Sequence, residues 1–271
     1  MKTYVITGAT SGIGRALLEE FSKECVVFAG YRNPKYEAEL ASMKNVIPFF
    51  IDMEKPYTIK GAADFIKQKT DKIDVLINGA GCVIAGAMEH MGASRLRRQF
   101  EVNTFSHLEF TQNLLPLLEN GRVINISSMA SFGIFPFVAP YCASKRALDI
   151  LFSAMSVEMQ GKLKVISVKP GVIATPLWEK SIDLNKNALE NDTKYSKEMH
   201  FMEANALKNG KKGLPVSKVT ALIKKITAAK DPKISYTIGL DAFVAEQISK
   251  LPPDIINKLM QLGLKKRISS V

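Results

Sequence analysis

A doubly wound α/β fold, with helices on both faces of a mainly parallel seven-stranded sheet, is what this sequence predicts. Short β-branched runs alternate with longer amphipathic stretches, the pattern of repeated strand–helix–strand units. The first of those runs passes directly into a glycine-rich turn that opens a helix. The chain has 271 residues, 46% of them apolar, which suits one large domain spanning 1–271 better than two small ones.

The expected strands are Thr3–Thr7, Val26–Gly30, Val46–Ile51, Val75–Asn78, Arg122–Ser127, Lys164–Lys169 and Ile234–Ile238. The expected helices include Ile13–Ser22, Ile59–Lys69, Ala93–Leu118 with a break near Val102, Pro140–Gln160 and Ser217–Ala228. No internal repeat or low-complexity tract interrupts them. Two regions depart from the rhythm. Thr175–Gly213 is polar and charged with Leu177, Trp178, Met199, Phe201 and Met202 interspersed, and reads as a substrate loop or lid carrying helices. The tail Asp241–Val271, with Pro252-Pro253 between two helical pieces, reads as a C-terminal helical extension.

The formal charge is +11, a balance that attracts phosphates when it is concentrated on one face. Here the densest groups are only Arg95/Arg97/Arg98, Lys208/Lys211/Lys212 and Lys265–Arg267, and most lysines are spread along presumed helix faces as solvated charge. No nucleic-acid partner is expected. Lys2–Ile6 is already strand-like, leaving no room for a secretory signal, and no run approaches the roughly 18 apolar residues of a membrane span. Cys25, Cys82 and Cys142 are odd in number, and neither they nor His90, His107 and His200 have metal-ligand spacing. A reducing cytoplasm and no structural metal are the expectation.

The turn reads Thr7-Gly8-Ala9-Thr10-Ser11-Gly12-Ile13-Gly14 and is followed at once by Arg15-Ala16-Leu17-Leu18. Glycines 8, 12 and 14 permit a tight turn and let backbone amides approach a pyrophosphate at a helix N-terminus. The second strand ends Gly30-Tyr31-Arg32, without the acidic residue that would hold both ribose hydroxyls of NAD. Arg32, helped by Arg15 or Ser11, suits an adenosine 2′-phosphate instead, so NADP(H) is the expected cofactor. The alternative role for Arg32 is to cap the strand end.

These residues, with others downstream and in order along roughly 1–240, resemble the short-chain dehydrogenase/reductase family and its Rossmann fold. Thr7–Gly14 resembles the family's cofactor turn, Asp52, followed by Met53, its adenine-contacting aspartate, and Asn78-Gly79-Ala80-Gly81 its Asn-Asn-Ala-Gly element. Asn103, Ser128, Tyr141 and Lys145 match its catalytic tetrad. Pro170-Gly171-Val172-Ile173-Ala174-Thr175 resembles the turn that contacts the nicotinamide end through the Ile173 backbone and the Thr175 hydroxyl. Gly79 departs from the pattern by replacing the second asparagine, which leaves only a backbone role and a looser turn.

The spacing of the tetrad carries chemistry of its own. Tyr141 and Lys145 are four apart, so a helix puts both on one face, where the ammonium is expected to lower the phenol's affinity for its proton. Tyr141 then donates a proton to a reduced carbonyl or accepts one from an alcohol. Ser128 lies thirteen positions earlier, the separation used in the family, and is preferred over Ser127 for holding the substrate oxygen because neighbours on a strand face opposite ways. For Asn103 the resemblance implies a kinked helix and a water connecting Lys145 to solvent.

The expected reaction is NADP(H)-dependent interconversion of a carbonyl and an alcohol on a small molecule. The apolar span Met129–Pro140, with Val83, Ile84, Leu177 and Trp178, favours a lipophilic substrate, while Phe135 and Phe137 suit packing or subunit contacts equally well. The tail resembles that of hydroxysteroid and retinol dehydrogenase-like members. Its stripe Ile256, Met260 and Leu264 beside Lys258, Lys265, Lys266 and Arg267 reads first as packing on its own domain and second as weak membrane-surface contact. The resemblance implies a homodimer or homotetramer through Thr104–Leu118 and Tyr141–Gln160. The rival readings are a nucleotide-binding redox sensor or scaffold and a sugar-nucleotide epimerase or dehydratase, the latter disfavoured by glycine spacing and length.

Overall fold

Seven parallel strands form the sheet in a computed structural model that describes residues 1–191 and 193–268, with side chains for 1–187 and 193–266. The strands are β1 Thr3–Ile6, β2 Val26–Tyr31, β3 Val46–Phe50, β4 Val75–Asn78, β5 Arg122–Ile126, β6 Lys164–Pro170 and β7 Ser235–Ile238. Between them run α1 Gly12–Phe21, α2 Glu37–Ser42, α3 Pro56–Lys67, α4 Ala93–Phe100, α5 Ser106–Leu114, α6 Ala139–Glu158, α7 Leu177–Asn191, α8 Ser196–Lys212 and α9 Val216–Ala228. After β7 come α10 Leu240–Ile248 and α11 Pro253–Ile268.

The strand order is β3-β2-β1-β4-β5-β6-β7. The chain winds outward from β1 to β3, then returns to lay β4 on the other side of β1, with Ile6 opposite Ile77. Loops leaving β1 and β4 therefore diverge, and a crevice opens beyond their carboxyl ends.

Two cores flank the sheet, one per face. Tyr4 and Ile6 pack with Leu17 and Leu18 of α1 and with Val219, Ile223 and Ile226 of α9. Val5, between them in sequence, points the opposite way into Ile59 and Ile66 of α3, Phe110 of α5 and Phe152 of α6. Strand residues alternate faces, so both faces can be apolar only if helices cover both. Arg122, on β5, donates its guanidinium to the carbonyls of Ile226 and Ala229, satisfying the end of α9.

The strands sit where the sequence puts them, within a residue or two. The helix expected over Ala93–Leu118 is divided: α4 ends at Phe100, Glu101–Phe105 is π-helical, α5 follows, and Leu115–Leu117 is a 3₁₀ turn around Pro116. The short α2 was not anticipated, because Leu40 is its single buried residue and gives no periodicity to read. The region 175–213 is two helices, α7 and α8, packed on each other. In α11, Ile256, Met260 and Leu264 are half-buried while Ile255, Leu259 and Leu262 are exposed, so the apolar stripe faces the domain. Among the described residues no helix is long and apolar enough to cross a membrane.

Candidate active site

A cleft of about 1060 Å³ occupies the crevice and extends under α7 and α8. One end is the β1–α1 turn. Gly8 has φ +71°, a backbone conformation that a side chain resists, and a Cβ on it would stand 2.9 Å from Ala80 Cα. A Cβ on Gly14 would overlap the Gly8 carbonyl oxygen, so helix and turn approach as closely as they do only because neither residue has one. The resulting cradle of backbone amides at the start of α1 fits a dinucleotide pyrophosphate. Thr10, Ser11, Gly12 and Ile13 line the same wall.

At the end of β2, Gly30, Tyr31 and Arg32 line the cleft. Arg32 Nη1 lies 3.4 Å from Glu54 Oε1, and Arg98 Nη2 holds the same oxygen at 2.7 Å. Two guanidiniums thus converge on one carboxylate at the nucleotide end, a charge balance able to accept an additional phosphate. Arg15 is committed elsewhere, to Glu19 at 2.6 Å and Glu39 at 2.7 Å.

The other end is the Ser128–Tyr141–Lys145 group. Ser128 begins the 3₁₀ turn Met129–Phe132, accepts from the Ala130 amide at 3.1 Å and lines the cleft beside Tyr141. Ser127 also lines the cleft, but its hydroxyl is buried without a protein partner. Lys145, one helical turn beyond Tyr141 on α6, donates to the Ile126 carbonyl at 2.8 Å, and its ammonium is 6.0 Å from the Tyr141 ring centre. Burial pushes the Tyr141 phenol up to about 12, with the Ser128 bond pulling the other way. The expected lowering is not what this arrangement produces, because desolvation of the buried phenol is the largest effect on it. Burial likewise brings Lys145 down to about 8, opposed by the Asp149 carboxylate one turn further along α6.

Asn103 sits in the π-helical turn, buried behind the cleft wall. Its Oδ1 accepts from the Cys82 amide at 2.9 Å, and its Nδ2 donates to the Cys82 carbonyl at 3.0 Å and to Ser144 Oγ at 3.2 Å. A Cβ on Gly81 would stand 3.4 Å from Asn103 Oδ1 and 3.7 Å from Lys145 Nζ, so glycine there keeps the space between the two open. Asn78 and Asp52, expected as cofactor contacts, also stand behind the wall. Asn78 ties β4 to β5 and α5 by donating to Asn125 Oδ1 at 2.9 Å and Thr111 Oγ1 at 3.3 Å, and Asp52 accepts from the Glu54 amide at 3.1 Å. Neither lines the cleft, whereas Met53 and Glu54 do.

Pro170, Gly171, Ile173 and Thr175 form the wall below, where β6 leads into α7. Val83, Leu177 and Trp178 line the apolar end of the cleft together with Phe135 and Phe137, but Ile84 is packed away, its amide donating to Gln99 Oε1 at 2.7 Å. Among the described residues no group of three or more His, Cys, Asp or Glu is placed to hold a metal.

A model of the short chain dehydrogenases matches residues 2–186, and a strand order, glycine turn and serine–tyrosine–lysine group in this arrangement accompany the match. The chain belongs to the short-chain dehydrogenase family. An NADPH-dependent 3-dehydrocapnine reductase of Ornithobacterium rhinotracheale is 31% identical, over 98% of this chain and 98% of that one. A 3-ketodihydrosphingosine reductase of Bacteroides thetaiotaomicron is 26% identical over 96% of each. Among solved structures, a short-chain dehydrogenase of Streptomyces avermitilis shares the fold with a TM-score of 0.74 and 22% identity, over 98% of this chain and 97% of that one. The protein is thus an oxidoreductase of a family that acts on CH–OH and C=O groups.

Within this short-chain dehydrogenase, Gly79 is not a loosening of the cofactor wall. Thr7 Oγ1 accepts from the Gly79 amide at 3.0 Å and the Ala80 amide at 3.3 Å, and a Cβ at position 79 would stand 2.8 Å from the Thr7 carbonyl. The turn is held, and its closeness to β1 is what excludes a side chain.

Three supporting residues escaped sequence reasoning. Asp241, at the start of α10, accepts from the Val172 amide at 2.7 Å and ties the C-terminal extension to the Pro170–Gly171 turn. Asn185 of α7 is buried and fastens that helix to the segment after β4, accepting from the Ala85 amide at 2.8 Å and from Arg95 Nη2 at 2.7 Å while donating to the Val83 carbonyl at 2.8 Å. Lys180 of α7 donates to Ser11 Oγ at 2.9 Å. Each joins residues about 70 or more apart in sequence, and no local pattern announces such a partner.

Proposed function

We propose that this short-chain dehydrogenase reduces the ketone of a lipophilic small molecule with NADPH, or runs the same reaction backwards from the alcohol. The observation that carries this reading is the position of Tyr141: with Ser128 it lines a continuous cleft with the glycine turn at one end and apolar side chains at the other. When bound, NADP(H) supplies or removes the hydride. Ser128 holds the substrate oxygen, Tyr141 gives that oxygen its proton as the carbonyl becomes an alcohol, and Lys145 anchors the base of the group through Ile126.

Arg32 at the end of β2, with no acidic residue in its place, supports NADP(H) over NAD(H). So does the NADPH dependence in the name of the O. rhinotracheale relative. That relative and the B. thetaiotaomicron enzyme are named for a 3-dehydro and a 3-keto substrate, which favours reduction of a ketone. Apolar walls from Phe135, Phe137, Trp178, Phe201, Met202 and Leu264 favour a hydrocarbon body on the substrate. Exposed Phe105, Ile150, Leu151 and Val157 on and beside α5 and α6 support self-association through those helices.

Purified protein mixed with NADPH and a panel of ketones, graded from short and polar to long-chain, tests the reading through loss of NADPH absorbance. Turnover rising with chain length is the expected result. Turnover confined to small polar carbonyls defeats the lipophilic assignment.

A further inference from the structure

Lys180 lies in the first turn of α7, where the lid leaves the wall of the cleft, and its ammonium reaches back to the glycine turn. Its partner there, Ser11, occupies the N-cap position of α1, yet the serine hydroxyl caps no helix amide. The hydroxyl instead accepts from Lys180 at 2.9 Å. Thr175, the first residue of the lid segment, stands beside the same turn, close enough that a Cβ on Gly12 would be 3.4 Å from its side-chain carbons. The root of the lid thus reaches the turn through Lys180.

The two cations near that turn are in different situations. Arg15 is neutralised by Glu19 and Glu39, whereas no carboxylate among the described residues pairs with Lys180. An unneutralised ammonium beside the amides of a helix N-terminus is a site completed by an anion. It also lines the same cleft as Arg32.

We propose that Lys180 is a cofactor ligand carried by the lid, sharing a dinucleotide phosphate with Ser11, so that nucleotide binding holds α7 and α8 down over the substrate cleft. This rests on the NADP(H) reading above. The lid has its own latch on the far side, Asn185 with Arg95 and the Val83–Ala85 backbone. Lys180 adds the hold that depends on cofactor.

Titration of NADPH and NADH into the wild type, Lys180→Ala, Lys180→Arg and Arg32→Ala, followed by nicotinamide fluorescence, tests it. Lys180→Ala is expected to weaken binding on the order of 10-fold, with Lys180→Arg close to wild type, because an exposed charge-assisted bond to phosphate is being removed. Loss for NADPH alone assigns the contact to the 2′-phosphate, and equal loss for both dinucleotides assigns it to the pyrophosphate. Unchanged affinity for both, in a variant that melts like the wild type, overturns the proposal. A wild type that binds neither dinucleotide defeats the NADP(H) reading itself, which separates the two failures. Limited proteolysis within 175–213 tests the coupling: NADPH should protect the wild-type lid and protect the Lys180→Ala lid less at equal occupancy. Equal protection overturns the coupling.

Discussion

Asp149 and Lys169 form a buried ion pair, Oδ2 to Nζ 3.4 Å, directly behind the lysine of the active site. Asp149 is one turn past Lys145 on α6, and its two carboxylate oxygens have no hydrogen-bond partner among the described residues. Lys169, from β6, also lies over the Phe132 ring at 4.7 Å. Asp149 is the group that opposes the desolvation of Lys145. Asp149→Asn should therefore let Lys145 fall further below about 8, moving the alkaline limb of the pH–rate profile for ketone reduction to lower pH. It also strands Lys169, at a cost of about 3 kcal/mol by denaturant melt. A profile that keeps its alkaline limb in place would separate Asp149 from the chemistry.

Tyr141→Phe keeps the ring and removes the proton. Turnover should fall on the order of 10² to 10⁴-fold while NADPH affinity changes little, since the proton transfer and not the binding is lost. Steady-state rates paired with a fluorescence titration check it. Equal rates in variant and wild type would remove Tyr141 from the mechanism.

Arg32→Ala should cost about 10-fold in NADPH affinity and leave NADH nearly untouched, because only NADPH carries the 2′-phosphate. Glu54 should then keep its bond to Arg98, so the fold is expected to melt unchanged. A matched loss for both nucleotides would place Arg32 elsewhere on the cofactor.

His107 is buried as the neutral ring, with Nε2 2.9 Å from the Ala80 carbonyl beneath the cofactor wall. Burial, then the Lys145 charge, pushes it down from 6.5 to about 3. The unfolded chain therefore binds a proton that the folded chain refuses between those values, and stability falls as pH drops through that window. His107→Gln keeps a donor for Ala80 and should flatten the decline between about pH 6.5 and 5 in urea melts. A slope identical to wild type would exclude His107 as its source.

Gly79→Asn restores the residue usual in the family, yet it should destabilise by about 1 to 3 kcal/mol, because its Cβ presses on the Thr7 carbonyl 2.8 Å away. NADPH affinity should not improve. Tighter binding in the variant would mean that Gly79 had loosened the turn after all.

Much of this molecule is written locally. Strand positions follow from runs such as Val26-Val27-Phe28-Ala29, apolar on both faces, and the glycine turn declares itself because residues 8 and 14 admit no Cβ. The break near Val102 was legible as a place, but only packing made it a π-helical turn, with Asn103 drawn to the Cys82 backbone. Tyr141 and Lys145 share a face by periodicity alone.

What the sequence by itself determined is the winding order of the units, the cofactor turn, and the spacing that sets Ser128, Tyr141 and Lys145 together. Tertiary structure alone decided what their neighbours do. It bonded Asn78 to Asn125 and Asp52 to the Glu54 amide, gave Lys145 to Ile126, set Asp149 against Lys169, and brought Lys180 to Ser11 across 169 positions. The physical reason is that a repeat of 2 or 3.6 residues fixes which face a side chain occupies, while its partner, its desolvation and hence its proton affinity depend on elements that meet only after folding.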